Sequence, residues 1–316
     1  MLNNKLSIIV PIYKNEENLI PFYEDFKNNI EPKLDDYEII MVNDDSPDDS
    51  WRIMCDLARE NPKIKLIKLS RNFGAISATF TGLKYCSGDC ASPKAVDLQE
   101  PPELLINMYE NWKTGNKSVI AVRESRNDSH ITNFFSNLYY SFVRKLITKN
   151  MPPGGFDTYL IDRKIIDYII DMNDKNSPIT LQLLWMGFSP VQVTYERKKR
   201  EVGKSSWSFS KKMKLFIDSF INFSYVPIRF MTGVGATSLL VSVVWGCKIA
   251  VSKILNQIPV QGYTTITILL LFAIGMLMFT LGIMGEYIWR ILENVRNRPI
   301  TLVEKMVNFD KGDRQE

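Results

Sequence analysis

The 316-residue sequence predicts an α/β domain built on a largely parallel sheet, followed by an amphipathic helix and two membrane-spanning helices. Two observations predict it. As far as Arg123, short apolar runs alternate with helical patterns, which is how βαβ units read. Between Phe230 and Ile283, charges nearly vanish.

The elements follow in order. Leu6 to Ile12 is a continuous apolar run broken by Pro11, as in a buried first strand. Leu19, Phe22, Phe26 and Ile30 then recur with helical spacing. Tyr37 to Val42 is a second strand, and the acidic turn from Asn43 to Ser50 supplies capping residues for a helix over Trp51 to Arg59. Ile64 to Leu69 is a third strand, closed by Ser70-Arg71-Asn72-Phe73-Gly74 and a small-residue helix to Tyr85. Cys90 to Val96 is a weak fourth strand, interrupted by Pro93 and Lys94. Pro102 sits where the first turn of a helix to Trp112 tolerates proline. Ser118 to Val122 is a fifth strand. Beyond it come a helix over Ile131 to Ile147, a turn at Pro152-Pro153-Gly154-Gly155, a short strand and helix within Leu160 to Met172, a helix from Ile179 to Met186, and a strand from Val191 to Tyr195.

The domain expected from this pattern covers residues 1–210. Residues 211–229 mix Lys211, Lys212 and Lys214 with Leu215, Phe216, Phe220 and Phe223, which suits a helix lying in a membrane interface or one covering a domain core. Phe230 to Val251 and Thr264 to Ile283 are each long enough to cross a hydrocarbon layer of ~30 Å, so residues 230–283 form a two-helix membrane domain. Residues 284–316 are a basic tail. Basic residues flank the pair of spans, whereas the short connection carries Lys253 alone, so both ends are expected on the cytoplasmic side.

Composition narrows the function. A net charge of +4 is too mild for a nucleic-acid partner. The four cysteines have no zinc-site spacing and the only histidine is His130, so reduced thiols are expected. No signal peptide is expected at the N-terminus. No Gly-x-Gly-x-x-Gly turn follows the first strand, which disfavours a dinucleotide oxidoreductase.

The chemistry centres on Asp97-Leu98-Gln99-Glu100, at a strand end where open α/β sheets place their ligands. Oxygen donors there suit Mg²⁺ or Mn²⁺ bound with a diphosphate, although acidic loop residues before a helix more often cap it than bind a ligand. Asp44 ends the second strand and could accept hydrogen bonds from a base or ribose, or cap a helix. Arg71 could face a phosphate or a surface carboxylate. Arg123, Arg126, Arg200 and Lys204 form a cationic set suited to phosphate, or to anionic lipid. Gly203-Lys204-Ser205 reads as a flexible loop able to close over a ligand.

Taken together, Pro11-Ile12-Tyr13-Lys14-Asn15-Glu16, Val42-Asn43-Asp44-Asp45-Ser46, Arg71-Asn72-Phe73-Gly74, Asp97-Leu98-Gln99-Glu100-Pro101-Pro102-Glu103 and Arg200-Glu201-Val202-Gly203-Lys204-Ser205 resemble the ordered motifs of glycosyltransferase family 2. The polyprenyl-phosphate branch, similar to dolichol-phosphate-mannose synthase and GtrB-type bacterial enzymes, is closest, and Gly285-Glu286-Tyr287-Ile288-Trp289-Arg290 resembles its two-helix bacterial members. The resemblance implies a GT-A nucleotide-sugar domain with a divalent metal. It implies inverting transfer of a hexose, glucose or N-acetylglucosamine, from a UDP-sugar to undecaprenyl phosphate at the cytoplasmic face of a bacterial inner membrane, in a homo-oligomer expected to be a tetramer. By position, Asp97 and Gln99 would meet the metal and diphosphate. Asp44 would meet the uridine, with Pro11, Glu16, Arg71 and Lys204 completing the donor-binding set. Arg123 and Arg200 would hold the acceptor phosphate, with Asp157 as an active-site carboxylate.

Two positions depart from the pattern. Ala95 stands where the family usually has the first acid of Asp-x-Asp-x-Gln, and Asp45 stands where it commonly has Gly. The missing acid keeps a second reading open, a catalytically weakened membrane-anchored nucleotide-sugar binder or scaffold.

Overall fold

The apolar runs of the first third become the middle of one eight-stranded sheet. A computed structural model describes residues 4–124, 140–141, 143–145, 148–174, 177–197, 226–254, 262–296 and 298–309. The strands are β1 (Lys5–Ile12), β2 (Asp36–Asn43), β3 (Ile64–Leu69), β4 (Cys90–Pro93), β5 (Ser118–Arg123), β6 (Thr158–Asp162), β7 (Val191–Tyr195) and β8 (Val303–Val307). Their order across the sheet is β7-β5-β6-β4-β1-β2-β3-β8. β1 lies parallel to β2 and β4, with Leu6 opposite Tyr37 on one side and Cys90 on the other. β2 and β3 are parallel, as are β5 and β7. β6 and β8 run against their neighbours, so the sheet is parallel except at these two strands.

Side chains alternate across the pleat, which sorts the helices between two faces. Leu6, Ile8, Val10 and Ile12 share a core with Leu19 and Phe22 of α1 (Glu16–Asp25), with Met54 and Leu57 of α2 (Ser50–Glu60), and with Leu104, Leu105, Met108 and Trp112 of α4 (Pro102–Lys113). Phe26 and Ile30, on a π-helical turn continuing α1, join the same core. Fully burying one such side chain is worth roughly 1.5–3 kcal/mol. The opposite face carries Ile9 and α3 (Ala75–Tyr85), where a Cβ on Gly82 would lie 2.2 Å from Ile9 Cγ2. The small residues of α3 therefore let it approach β1 closely. α5 (Arg163–Met172) begins at an Asp162 cap, whose side chain accepts the Lys164 N–H, and α6 (Ile179–Trp185) follows.

At the entry end of the sheet, Glu38 is 1% exposed. Burial by itself would raise its pKa, but hydrogen bonds from Ser7 and Ser87 and the Lys65 and Lys5 ammonium groups hold it at about 2.

Two further helices form a unit of their own: α7 (Val226–Ile254) and α8 (Tyr263–Val295). Both are long and apolar enough to cross a membrane. Val244 and Phe272 are 70% and 65% exposed, so the described apolar faces are not those of core helices in a soluble domain. Each helix outruns its expected span. Residues 226–229 belong to α7, and residues 284–295 continue α8. The remainder of the expected interface helix, residues 211–225, lies outside the described residues. The expected basic tail contributes β8, and its described residues from Pro299 on group with the globular unit. β8 is fastened to that unit by Ser70 N–H to Leu302 O (2.9 Å), by Thr81 and Thr301 hydroxyls 2.6 Å apart, and by Asn308 donating to Ala58 O and Ile64 O.

Candidate active site

The carboxyl ends of β1, β2 and β3 are tied into one rim by their own loops. Asp44 N–H donates to Ile12 O at 2.9 Å, and Lys14 N–H donates to Ser46 Oγ at 2.7 Å. Glu16 and Asp48 interlock: Glu16 N–H reaches Asp48 Oδ2 (3.2 Å), and Asp49 N–H reaches Glu16 Oε2 (2.7 Å). Asp44 is 2% exposed. Its two oxygens accept the Phe73 and Gly74 N–H groups at 2.7 and 2.8 Å, which latches the loop after β3 onto the end of β2. Burial pushes the Asp44 pKa up, against the pull of those two donors. Gly74 has φ +95°, a conformation that favours glycine. Asp45 has φ +53°, which explains why glycine suits this position and why a short polar side chain is tolerated there. Arg71 is exposed, with its guanidinium carbon 4.0 Å from the Phe73 ring centre.

A second cluster forms where β4, β6, β5 and β7 meet. β6 is antiparallel, so its first residue, Thr158, stands at the same edge as the carboxyl ends of the other three. Asp157 precedes it and pairs with Arg123 at the end of β5. Arg123 Nε also donates to the Tyr195 hydroxyl at 3.2 Å. Burial opposes the Arg123 charge, but the attraction of the Asp157 carboxylate prevails and the Arg123 pKa is raised. Gly154 and Gly155, at φ +86° and +72°, turn the chain into this site. A Cβ on Gly155 would lie 2.0 Å from the Tyr140 ring.

The segment after β4 completes the cluster. Gln99 N–H turns back to Asp97 Oδ1 at 3.4 Å, and Leu98 takes φ +52° between them. The Gln99 side-chain oxygen accepts from Arg197, just beyond β7. Glu100 accepts from the Thr158 hydroxyl and faces the buried Lys94 ammonium at 3.8 Å. Burial raises the Glu100 pKa, against Lys94 and Thr158. Ala95 is exposed and supplies no ligand.

The donor set bears on the expected metal. Among the described residues no group of three or more His, Cys, Asp or Glu could hold an ion. Asp97 offers a carboxylate, and Gln99 offers an amide oxygen already engaged by Arg197. Such a set fits an ion shared with a diphosphate rather than one caged by the protein.

Of the sequence-predicted residues, Pro11, Glu16, Asp44 and Arg71 border the first rim, and Asp97, Gln99, Arg123 and Asp157 lie in the second cluster. Arg200 and Lys204 lie outside the described residues, as do Arg126 and His130. Sequence reasoning missed Thr158, Tyr195 and Arg197 as site residues, and it took Lys94 only as a strand interruption. Lys94 lies just past β4, which ends at Pro93 and not at Val96 as expected, and a lysine set in that expected strand was the one available signal, since a buried cation requires a partner.

Comparison with known proteins gives these clusters a context. The family profile described as "Glycosyl transferase family 2" matches residues 7–170. A putative glycosyltransferase, CsbB, from Bacillus subtilis is 32% identical over 96% of this chain and 93% of its own. A prophage-derived bactoprenol glucosyl transferase of Shigella flexneri is 30% identical over 95% of this chain and 98% of its own. Among solved structures, a mannosyl-3-phosphoglycerate synthase from Rubrobacter xylanophilus aligns with TM-score 0.46 at 13% identity, covering 73% of this chain and 75% of that one. The profile spans just over half of the chain, and sequence relatives run along almost all of it, so the chain belongs to glycosyltransferase family 2 and is a glycosyltransferase.

Proposed function

We propose that the enzyme transfers a hexose from a UDP-sugar to a polyprenyl phosphate, undecaprenyl phosphate in a bacterial inner membrane, with inversion at the anomeric carbon. The observation that carries the reading is the meeting of the Asp97–Gln99 turn with the Arg123–Asp157 pair at one sheet edge. One half suits a nucleotide diphosphate and the other a phosphate acceptor. The relative from Shigella flexneri, named a bactoprenol glucosyl transferase, supports a polyprenyl acceptor and favours glucose over N-acetylglucosamine. Two helices long enough to cross a bilayer support delivery of that acceptor in the membrane.

The chemistry needs no general base. A phosphate monoester has a second pKa near ~6, so the acceptor is largely a dianion at neutral pH. Its oxygen attacks the anomeric carbon as the bond to the UDP oxygen breaks. One C–O bond replaces another and UDP leaves with the electron pair. The protein aligns the two phosphates and stabilises charge. Asp157 orients Arg123, whose planar guanidinium suits the acceptor phosphate. Arg200 is expected to join it, and Lys204 to approach the donor. Asp97 and Gln99 would hold Mg²⁺ or Mn²⁺ together with the donor diphosphate, an ion that supplies charge neutralisation when bound. Asp44 acts through the Phe73–Gly74 loop beside the nucleoside, with Pro11, Glu16 and Arg71 on the same rim.

Both ends of the α7–α8 unit lead into the globular unit, since β8 pairs with β3. An even number of crossings therefore keeps that unit on one side, the cytoplasmic one by the charge pattern. A tetramer is the expected assembly.

Purified full-length protein in detergent, given radiolabelled UDP-sugars, polyprenyl phosphate and Mg²⁺, Mn²⁺ or EDTA, tests the reading. Labelled lipid from UDP-glucose, abolished by EDTA, is the expected result. No labelled lipid with any donor would refute the reaction, and labelled lipid indifferent to EDTA would refute the metal role of Asp97 and Gln99.

A further inference from the structure

Glu100 bridges the two halves of the site. One carboxylate oxygen accepts the Thr158 hydroxyl and the other faces Lys94 Nζ at 3.8 Å. Lys94 is 4% exposed, and its N–H extends the β4 pairing by donating to Ile9 O at 2.8 Å. β4 and β6 are also joined by Ser92 Oγ donating to Tyr159 O at 2.7 Å. The chain on either side of Glu100–Thr158 carries the chemistry. Gln99 precedes Glu100, and Asp157, paired with Arg123, precedes Thr158. Leu98 meanwhile holds a left-handed conformation that a branched side chain resists, so the turn requires anchoring from its flanks.

We infer that Glu100 is a positioning residue, which through Thr158 fixes the spacing between the turn that meets the donor diphosphate and the Arg123–Asp157 pair that meets the acceptor phosphate. This rests on the proposed transfer to a polyprenyl phosphate. The physical reason is that a half-buried carboxylate hydrogen-bonded through one oxygen and facing a buried ammonium through the other permits fewer geometries than a turn with no such partners. In-line transfer is sensitive to such drift, because the attacking and leaving oxygens must stay aligned across the anomeric carbon. In the proposed reaction neither Glu100 nor Thr158 is assigned to the donor or the acceptor. Its loss therefore reads out in turnover and not in donor affinity.

The test is Thr158→Val, which keeps side-chain shape and deletes the hydroxyl, beside Thr158→Ser, which keeps the hydroxyl. Full-length protein in detergent is assayed for kcat with UDP-glucose and polyprenyl phosphate, and for UDP binding by calorimetry. The expected result is a kcat at least fivefold lower in Thr158→Val, UDP affinity within threefold of the parent, and Thr158→Ser within threefold of parental kcat. A smaller fall in kcat, a parallel loss of UDP affinity, or a Thr158→Ser protein no better than Thr158→Val would overturn the inference. If Thr158→Val does not fold, Lys94→Met approaches the same bridge from its other end under the same criteria. A parental protein that transfers no sugar sinks the proposed function together with this inference, whereas an active parent with indifferent variants sinks the inference alone.

Discussion

Asp44 Oδ2 accepts the Gly74 backbone N–H at 2.8 Å, joining the end of β2 to the loop that follows β3. An acid this buried is satisfied by main-chain donors, so its chemistry acts through the loop that it holds. Asp44→Asn would turn an amide NH₂ toward one of the two N–H groups. A donor left unmet in a buried place costs about 1–3 kcal/mol. The variant is expected to lower the melting temperature and weaken UDP binding about tenfold, measured by calorimetry on full-length protein.

Arg123 is held by Asp157 and by the Tyr195 hydroxyl. Arg123→Lys keeps the charge but loses the fork that grips a phosphate at two oxygens. The expected outcome is a rise of roughly tenfold or more in KM for polyprenyl phosphate, with UDP affinity unchanged. Equal losses for donor and acceptor would contradict the assignment of this pair to the acceptor.

Gly155 combines a φ of +72° with a neighbour that leaves no room, the Tyr140 ring 2.0 Å from the position of a Cβ. Gly155→Ala must move Tyr140 and strain the backbone together. A loss of about 1–2 kcal/mol follows from the backbone alone. Thermal unfolding measures it, and Gly155→Ala with Tyr140→Ala separates the steric part from the backbone part.

Glu38 gives a pH prediction with a definite sign. Its folded pKa of about 2 lies below the ordinary 4.5, so its contribution is present above pH 4.5 and is lost as pH falls toward 2. Glu38→Gln should cost roughly 3 kcal/mol at neutral pH. Parent and variant should converge in stability as the pH falls through that window. Glu38 sits at the end of the sheet away from the loops after β1, β2 and β3, so UDP affinity should not change.

The first three strands were legible because each is a short, mostly apolar segment bounded by turn-forming residues, although Glu38 interrupts β2 and Lys65 and Lys68 interrupt β3. The rim after β2 was legible as an acidic turn, although the partners of Asp44 were not, since hydrogen bonds between loops leave no periodic trace. Asp157 and Arg123 were each singled out, but their pairing depends on the reversed direction of β6, inserted between β4 and β5 by a segment that arrives later in the chain. β8 escaped notice for a different reason. Val303-Glu304-Lys305-Met306-Val307 is too charged for a core strand, as befits an edge, and Lys68 pairs with Glu304 there at 2.8 Å.

The position of β8 has a consequence for how the protein is made. A ribosome delivers β3 early and β8 last, after both long apolar helices have emerged. Until then β3 presents an open row of peptide groups, which invites pairing with any passing strand. Final closure of the sheet thus waits on synthesis of both long apolar helices. A chain truncated within or just after α8 would carry every motif of the transferase and still bear a raw edge, a ready mark for proteases that clear unfinished proteins.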